Sequence, residues 1–249
     1  MLLRLTAFLL IPALVGAFAQ DERQVASPDG RLVFHVYMAP QAPGDLFRLA
    51  YDVTVQGRPV IARSYLGLDL LYIEPLLGEK DGLIGSKTGS GSGYNWLLAE
   101  YMQDGSLGDR IDIEARAYND GVAFRYVLPR STPLADLKIV DEATEFRFAA
   151  GKEALRGAPE TGNQSLPFVT TLPGGGSVAI LEVRLPDFPA TSLARLDASA
   201  LVTRLARMPN DSELAFGGHT PFTGPWRVIL FGTDRAGMLD SAWLKSLKP

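Results

Sequence analysis

The feature that most constrains how this chain can fold is a hairpin-like stretch in which apolar and polar residues alternate one by one. Between residues 111 and 117 an isoleucine or alanine alternates with a charged residue, and apolar residues return at every second position from 122 to 128. Such a period of two is typical of a β-strand with one buried face. Asn119-Asp120-Gly121 joins the two runs and suits the positive φ angles of a tight hairpin turn. The stretch therefore predicts two antiparallel strands.

The same alternation recurs along most of the chain, and no long amphipathic helix accompanies it. The sequence holds 25 Gly and 17 Pro in 249 residues, which favours many turns. Residues 87–93 have the composition of a flexible loop, and residues 236–247 are expected to be helical in part. Many short strands that do not alternate with helices indicate an antiparallel sandwich. Further strands are predicted at residues 47–55, 145–148, 177–185, 201–204 and 226–231.

Composition excludes several classes of function. The formal net charge is -4, the opposite of the basic footprint that binding to nucleic-acid phosphates requires. The sequence has no cysteine, so it can form no disulfide, no zinc-thiolate site and no thiol nucleophile. His35 and His219 are its two histidines, and so a metal site built from several histidines is excluded as well.

The first nineteen residues read as a secretory signal peptide. Arg4 precedes an apolar run that ends in Ala17-Phe18-Ala19, the small-residue pattern of a cleavage site. The run is too short for a membrane span, which takes about 20 apolar residues, and no later stretch approaches that length. A buried N-terminal helix or an anchor is the alternative. We therefore expect a signal peptide over 1–19, a mature chain that begins at Gln20, no membrane span after cleavage, and a periplasmic or secreted location.

Five segments carry a further signal when they are taken in order: Ser27-Pro28-Asp29-Gly30, Ser64-Tyr65-Leu66-Gly67-Leu68, residues 116–126, Thr144-Glu145-Phe146, and residues 224–230. Together they resemble the N-terminal domain of glycoside hydrolase family 97, over nearly the whole chain after residue 24. The resemblance implies an all-β fold over residues 20–249, an antiparallel two-sheet β-super-sandwich of the galactose-mutarotase-like kind.

The resemblance also implies a partner. In the family this domain packs against a catalytic (β/α)8 barrel that follows it, and the enzymes are α-glucosidases or α-galactosidases whose catalytic carboxylates lie in the barrel. Such a barrel takes about 250 residues, and the present sequence stops at Pro249. The expectation is therefore that this chain holds no catalytic residue, is not an enzyme alone, and meets its carbohydrate substrate through the barrel. The sequence identifies no substrate-binding residue.

Glu182 is the candidate metal ligand. Residues 179–189 resemble the family stretch whose glutamate reaches the barrel and ligates calcium, and Glu182 is the matching position. On the residues alone, Glu182 interrupts an apolar strand face that holds Val178 and Ile180, and pairing with Arg184 is the alternative. Calcium takes six to eight oxygen ligands, and so the resemblance implies a calcium ion shared with the barrel. Asp187 is expected to be a turn residue.

Three functions remain open at this point. The first is the N-terminal domain of an exported α-glycosidase, the second a stand-alone carbohydrate-binding module, and the third a mutarotase-like enzyme that uses His35 or His219 with Glu182. The chain departs from the family pattern at residues 78–101, which read as short and loop-like, and at residues 148–169. Trp96 could stack on a sugar ring or anchor a loop, and Trp226 is expected in the core.

Overall fold

The structure is a computed structural model that describes residues 20–105, 108–233 and 237–247. The predicted signal peptide lies outside the described residues. Within these ranges, three short 3-10 helices occur, at Gly151–Leu155, Gly237–Asp240 and Ala242–Ser246. The strands of the described residues are β1 (Gln20–Ala26), β2 (Leu32–Pro40), β3 (Phe47–Val55), β4 (Arg58–Tyr65), β5 (Leu68–Leu70), β6 (Asp81–Gly91), β7 (Tyr94–Gln103), β8 (Arg110–Tyr118), β9 (Gly121–Leu128), β10 (Asp136–Glu142), β11 (Glu145–Phe148), β12 (Asn163–Ser165), β13 (Phe168–Thr171), β14 (Ser177–Val183), β15 (Thr191–Arg195), β16 (Ala200–Leu205), β17 (Phe216–His219), β18 (Phe222–Thr223) and β19 (Trp226–Gly232).

These strands form two large antiparallel sheets and one small one. Sheet 1 has the order β1-β2-β3-β4-β11-β16-β15-β12. Sheet 2 has the order β13-β14-β19-β9-β8-β7-β6, with β18 also paired to β9. The small sheet has the order β17-β10-β5. The predicted all-β two-sheet sandwich is confirmed. Among the described residues, no helix is long and apolar enough to cross a membrane.

The core lies between the two large sheets, because alternate residues of each strand point to the same side. Phe34 and Tyr51 of sheet 1 meet Phe124 of sheet 2, with ring centroids 5.5 Å and 4.9 Å from that of Phe124. All three rings are fully buried. Aromatic pairs of this kind add about 0.5–1.5 kcal/mol each beyond the area that they bury. The contact therefore ties the two sheets together.

The predicted hairpin is confirmed, but the reason given for its glycine was wrong. Strands β8 and β9 pair antiparallel with Tyr118 opposite Gly121. No residue from 119 to 121 is among the described residues with positive φ. A Cβ atom on Gly121 would instead lie 2.7 Å from the backbone oxygen of Ile229 and 2.9 Å from the ring of Trp243. Glycine is needed there because the next strand and the C-terminal segment approach closely.

The loop predicted at residues 87–93, within the loop-like reading of residues 78–101, was wrong. Asp81–Gly91 forms the edge strand β6, which pairs with β7 along its length, and only Gly93 of the turn that follows has positive φ. Three glycines of β6, Gly85, Gly89 and Gly91, are compatible with a strand because large side chains of β7 lie over them. The expectation that residues 236–247 are helical in part is confirmed by two 3-10 helices.

The C-terminal segment packs on the outer face of sheet 2, the face turned away from sheet 1. Met238 and Leu247 form a second apolar cluster with Trp226 and its outer-face neighbours. Trp243 stacks on Tyr118 at a centroid distance of 3.8 Å with an angle of 6° between the rings. Trp226 is buried, as predicted, although it belongs to this outer cluster and not to the core between the sheets.

Candidate functional site

Glu182 lies near the end of β14, on the strand face that also carries Val178 and Ile180 of the core between the sheets. The residue directly opposite it in the neighbouring strand β19 is Arg227. Glu142, the last residue of β10, approaches the same guanidinium from the small sheet. The side chains of Glu142, Glu182 and Arg227 are 1%, 4% and 2% exposed. We call these three residues the acid–arginine cluster.

Arg227 holds both acids of the acid–arginine cluster at once. Its Nε donates to Glu142 Oε1 at 2.8 Å, its Nη2 donates to Glu142 Oε2, and its Nη1 donates to Glu182 Oε2. The two parallel bonds to Glu142 form the bidentate arrangement that suits a planar guanidinium. Glu142 is therefore the structural partner, and Glu182 is held through one oxygen.

Neutral polar groups complete the surroundings of Glu142. Thr144 Oγ1 donates to Glu142 Oε1 at 2.6 Å, and Tyr126 Oη lies 2.7 Å from Thr144 Oγ1. The backbone N–H of Gly67 donates to Tyr126 Oη at 3.0 Å. Since the threonine proton is directed to Glu142, the tyrosine proton is directed to Thr144. Every member of this buried chain has a partner, which is the condition under which a polar network stabilises an interior.

The electrostatics of the cluster favour the charged arginine. Burial acts to lower the pKa of the Arg227 guanidinium, but the charges and hydrogen bonds of Glu142 and Glu182 outweigh it, so this pKa lies above its ordinary value. Two carboxylates against one guanidinium leave the cluster with one net negative charge. Charges buried this deeply are costly unless they are paired, and here a single arginine pairs with both.

The second oxygen of Glu182, Oε1, is held less firmly than Oε2. Oε2 accepts hydrogen bonds from Arg227 and from the hydroxyl of Thr191. The contact of Oε1 is an ion pair with Arg184 Nε at 3.7 Å, and the Arg184 side chain is 61% exposed. Glu182 also lines a cleft of about 390 Å³ together with Thr191 and Leu239. The alternative pairing with Arg184 is thus present as a long contact, while Arg227 is the main partner.

Arg227 and Glu142 were not singled out from the sequence, although a signal existed for one of them. In the alternating strand of residues 226–231, Arg227 shares its face with Ile229. A charge on the inward face of a strand needs a buried partner of opposite sign. That rule points to a glutamate or aspartate opposite Arg227, but the pairing of β14 with β19 is needed to identify it as Glu182.

The number of oxygen ligands that these residues offer decides whether they fit a calcium ion. Calcium prefers six to eight hard oxygen ligands. Glu182 offers one carboxylate oxygen, next to the Thr191 hydroxyl. Among the described residues, no group of three or more His, Cys, Asp or Glu side chains could hold a metal ion. The residues fit a single contribution to a calcium site and not a complete one.

The histidines do not join Glu182. His35 Nδ1 lies 2.8 Å from Asp52 Oδ1 on the neighbouring strand of sheet 1, and His219 Nδ1 lies 3.1 Å from Asp136 Oδ1 in the small sheet. Within the described residues, neither imidazole contacts Glu182. The arrangement therefore gives no support to a mutarotase-like acid and base made from these residues. Asp187 lies in a turn, as predicted.

The fold and the site define a class: a large antiparallel β-sandwich domain that presents one arginine-held carboxylate at its margin. Residues 25–161 match the family model described as the glycosyl-hydrolase 97 N-terminal domain. The chain therefore belongs to the N-terminal domain family of glycoside hydrolase family 97, and the predicted resemblance is confirmed.

Known relatives are similar along most of this chain and extend well beyond it. A retaining alpha-galactosidase of Bacteroides thetaiotaomicron is 25% identical over 96% of this chain and 45% of its own length. A glycoside hydrolase family 97 enzyme of a Pseudoalteromonas species, solved in complex with panose, has a TM-score of 0.78 and 18% identity over 91% of this chain and 38% of that one. A beta-arabinopyranosidase structure has a TM-score of 0.69 and 19% identity over 86% and 40%. The chain thus spans less than half the length of these relatives.

Proposed function

We propose that this chain is the N-terminal sandwich domain of an exported α-glycosidase, that it packs on a catalytic (β/α)8 barrel, and that it is not catalytic alone. The observation that carries the proposal is the state of Glu182. One oxygen of its carboxylate is held by Arg227 and Thr191, and the residue lines a cleft at the margin of the sandwich. A carboxylate presented in this way suits a site that a second domain completes.

The chemistry of glycoside hydrolysis argues against catalysis by the cluster itself. That reaction uses two carboxyl groups about 5 to 10 Å apart, one on each side of the scissile bond. Glu142 and Glu182 instead face the same guanidinium, and the side chain of Glu142 is 1% exposed. No sugar oxygen can come between them. We therefore assign no catalytic residue to this chain.

We further propose that Glu182 is a calcium ligand in a site shared with the barrel. Bound calcium would supply a fixed positive charge near the carbohydrate. The residues of this chain hold and orient the ligand: Arg227 and Thr191 occupy Oε2 and thereby fix the direction of Oε1. Neighbouring groups that orient a ligand in this way strengthen metal binding at many sites.

A hydrolysis assay tests the functional proposal. We expect the purified chain to release no nitrophenol from 4-nitrophenyl α-galactoside or α-glucoside, with or without added calcium. The Glu182→Gln variant is the matched control for trace contamination, and it should give the same blank rate. Turnover by the wild-type chain that is absent from the control would make Glu182 catalytic, and turnover by both that stays proportional to the chain through further purification would locate a catalytic site elsewhere in the chain. Either result contradicts the proposal.

The proposed export has its own test. The pattern of Arg4, an apolar run and Ala17-Phe18-Ala19 supports cleavage after Ala19. N-terminal sequencing of the protein recovered from its source organism should then begin at Gln20. A protein that retains Met1 and remains in the cytosol would contradict export.

A further inference from the structure

The outer face of sheet 2 is covered over one half and open over the other. The C-terminal 3-10 helices cover the half around Trp226 and Val228. The other half carries a groove of about 370 Å³, which we call the Trp96 groove. It is lined by Tyr94, Trp96, Leu98, Glu114, Arg116, Val127 and Thr223. Pockets for small ligands commonly measure about 300–1,000 Å³, and so the groove has room for a ligand of modest size.

Trp96 lies flat on the backbone of the edge strand. A Cβ atom added to Gly89 would be 2.7 Å from each of three ring atoms of Trp96: Cε2, Cζ2 and Nε1. Equal distances to three ring atoms place the Cβ position over the face of the ring. A Cβ atom on Gly91 would likewise lie within 2.3 to 2.7 Å of Tyr94, close to Cζ, Cε1 and the hydroxyl oxygen. The half-buried Trp96 ring therefore lies over Gly89 of the edge strand, and Trp96 lines the groove from that side.

Fixed polar groups flank this ring. Glu114 Oε1 accepts a hydrogen bond from Arg116 Nη2 at 2.9 Å, and Glu114 Oε2 accepts one from Arg125 Nε at 2.8 Å. The Arg116 guanidinium also lies over the rings of Tyr94 and Trp226, at 5.2 Å and 4.6 Å from their centroids. Ion pairs and cation–π contacts hold these side chains in place. Their remaining hydrogen-bonding positions are therefore already oriented before a ligand arrives.

We propose that the Trp96 groove binds a neutral pyranose unit of an oligosaccharide. A pyranose has a flat C–H face, which suits the aromatic side chains of Tyr94 and Trp96 that line the groove, and a rim of hydroxyl groups. Neighbouring hydroxyls match the paired oxygens and nitrogens of Glu114 and Arg116, and Thr223 adds a hydroxyl at the margin. Glu114 and Arg116 line the groove with opposite charges, and the Arg125 guanidinium lies against the Trp226 ring, so the groove offers no strong attraction for a phosphate or a carboxylate.

Titration of the purified chain with panose tests the proposal, with sorbitol as a polyol that has no ring. We expect panose to bind in the millimolar range and to shift the indole N–H signal of Trp96 in NMR spectra, while those of Trp226 and Trp243 stay in place. The Trp96→Ala variant should bind at least tenfold more weakly. Trp243→Phe, which changes a covered ring on the same face, should bind as the wild type does. Sorbitol should produce no shift.

Several outcomes would overturn the sugar site. These are the absence of any panose binding by the folded chain, an equal response to sorbitol, and binding that survives in Trp96→Ala. If Trp96→Ala does not fold, the indole shifts of the wild-type chain decide alone, since a shift confined to another tryptophan excludes the groove. Binding should persist in EDTA, because the groove does not include Glu182. A requirement for calcium would place the sugar elsewhere and overturn the assignment, while the hydrolysis assay tests the proposed function separately.

Discussion

Two buried acidic regions of this sandwich differ in whether their carboxyl groups have a positively charged partner. In the acid–arginine cluster, Glu142 and Glu182 share Arg227. At the start of β6, Asp81 is 8% exposed, and among the described residues neither of its carboxylate oxygens has a hydrogen-bond partner of good geometry. Burial raises the pKa of Asp81 to about 8, the Gly78 backbone lowers it only in part, and the nearby charges of Asp109 and Glu79 raise it further.

The difference shows which carboxylates the fold keeps charged. A buried acid without a partner takes up a proton instead of remaining ionised, and Asp81 follows this rule near neutral pH. Glu182 is equally buried but has an arginine of its own strand pair. The fully buried guanidinium of Arg227 thus pairs with a carboxylate at the margin of the sandwich, where Glu182 lines the cleft. The free-energy cost of burying this guanidinium is expected where the charge serves a ligand, and it supports the proposed role of Glu182.

The largest effect should follow from removal of the shared arginine. Arg227→Met leaves two buried carboxylates without their shared buried cation, and breaking buried pairs in this way costs about 3–5 kcal/mol of unfolding free energy. Arg184→Met is the matched control, since Arg184 is largely exposed and its loss should cost under about 1 kcal/mol. Urea denaturation at pH 7 measures both. Equal stability of the two variants would contradict the account of the acid–arginine cluster.

The pH dependence of stability sharpens the contrast at Asp81. Its folded pKa lies above the unfolded value of about 3.9, so the folded state binds the extra proton, and stability falls as the pH rises through that window toward about 8. Relative to Asp81→Asn, the wild-type chain should lose about 2 kcal/mol of unfolding free energy between pH 5 and pH 7.

Asp29→Asn is the control for this loss. Asp29 is an acid whose pKa is lowered to about 2, mainly by the hydrogen bond from Ser27. It is ionised in the folded and unfolded states alike above pH 5, so its replacement should leave the pH slope between pH 5 and pH 7 unchanged. Stability that runs parallel in the wild-type and Asp81→Asn chains would show that Asp81 is not protonated in the fold.

A smaller effect separates two buried tyrosines of sheet 2. Tyr126 Oη accepts the Gly67 N–H and donates toward Thr144, so Tyr126→Phe leaves buried groups unpaired and should cost about 1–3 kcal/mol. Tyr101 is fully buried too, but its hydroxyl has no hydrogen-bond partner in the part of the chain that the structure describes. Tyr101→Phe should therefore be neutral or stabilising. Thermal unfolding of the two variants decides the point, and a larger loss from Tyr101→Phe would contradict the network as described.

The sequence predicted the parts of the fold in which local pattern and tertiary environment agree. Alternation located β8, β9 and β19 because each has one face in the core. It failed at β6. There the side chains of Glu100, Trp96 and Tyr94 lie over Gly85, Gly89 and Gly91 and occupy the space that a Cβ atom would need. Those contacts come from the neighbouring strand, and so composition alone indicated a loop.

The candidate site was predictable only in part for a related reason. Glu182 stood out because it interrupts an apolar face and matches a family segment. Its partner Arg227 lies 45 residues further on, and Glu142 reaches the same guanidinium from the small sheet. Which charges meet in an interior depends on strand order and register, and single-sequence patterns do not contain either.

Calcium titration of the purified chain by calorimetry is the most direct test of the central claim, that Glu182 is one ligand of a site which this chain does not complete alone. We expect weak binding, with a dissociation constant of about 10⁻⁴ M or above, as for sites with few ligands. That binding should disappear in Glu182→Gln and persist in Glu160→Gln, which alters a largely exposed glutamate. Submicromolar affinity, or weak binding that survives in Glu182→Gln, would contradict the account.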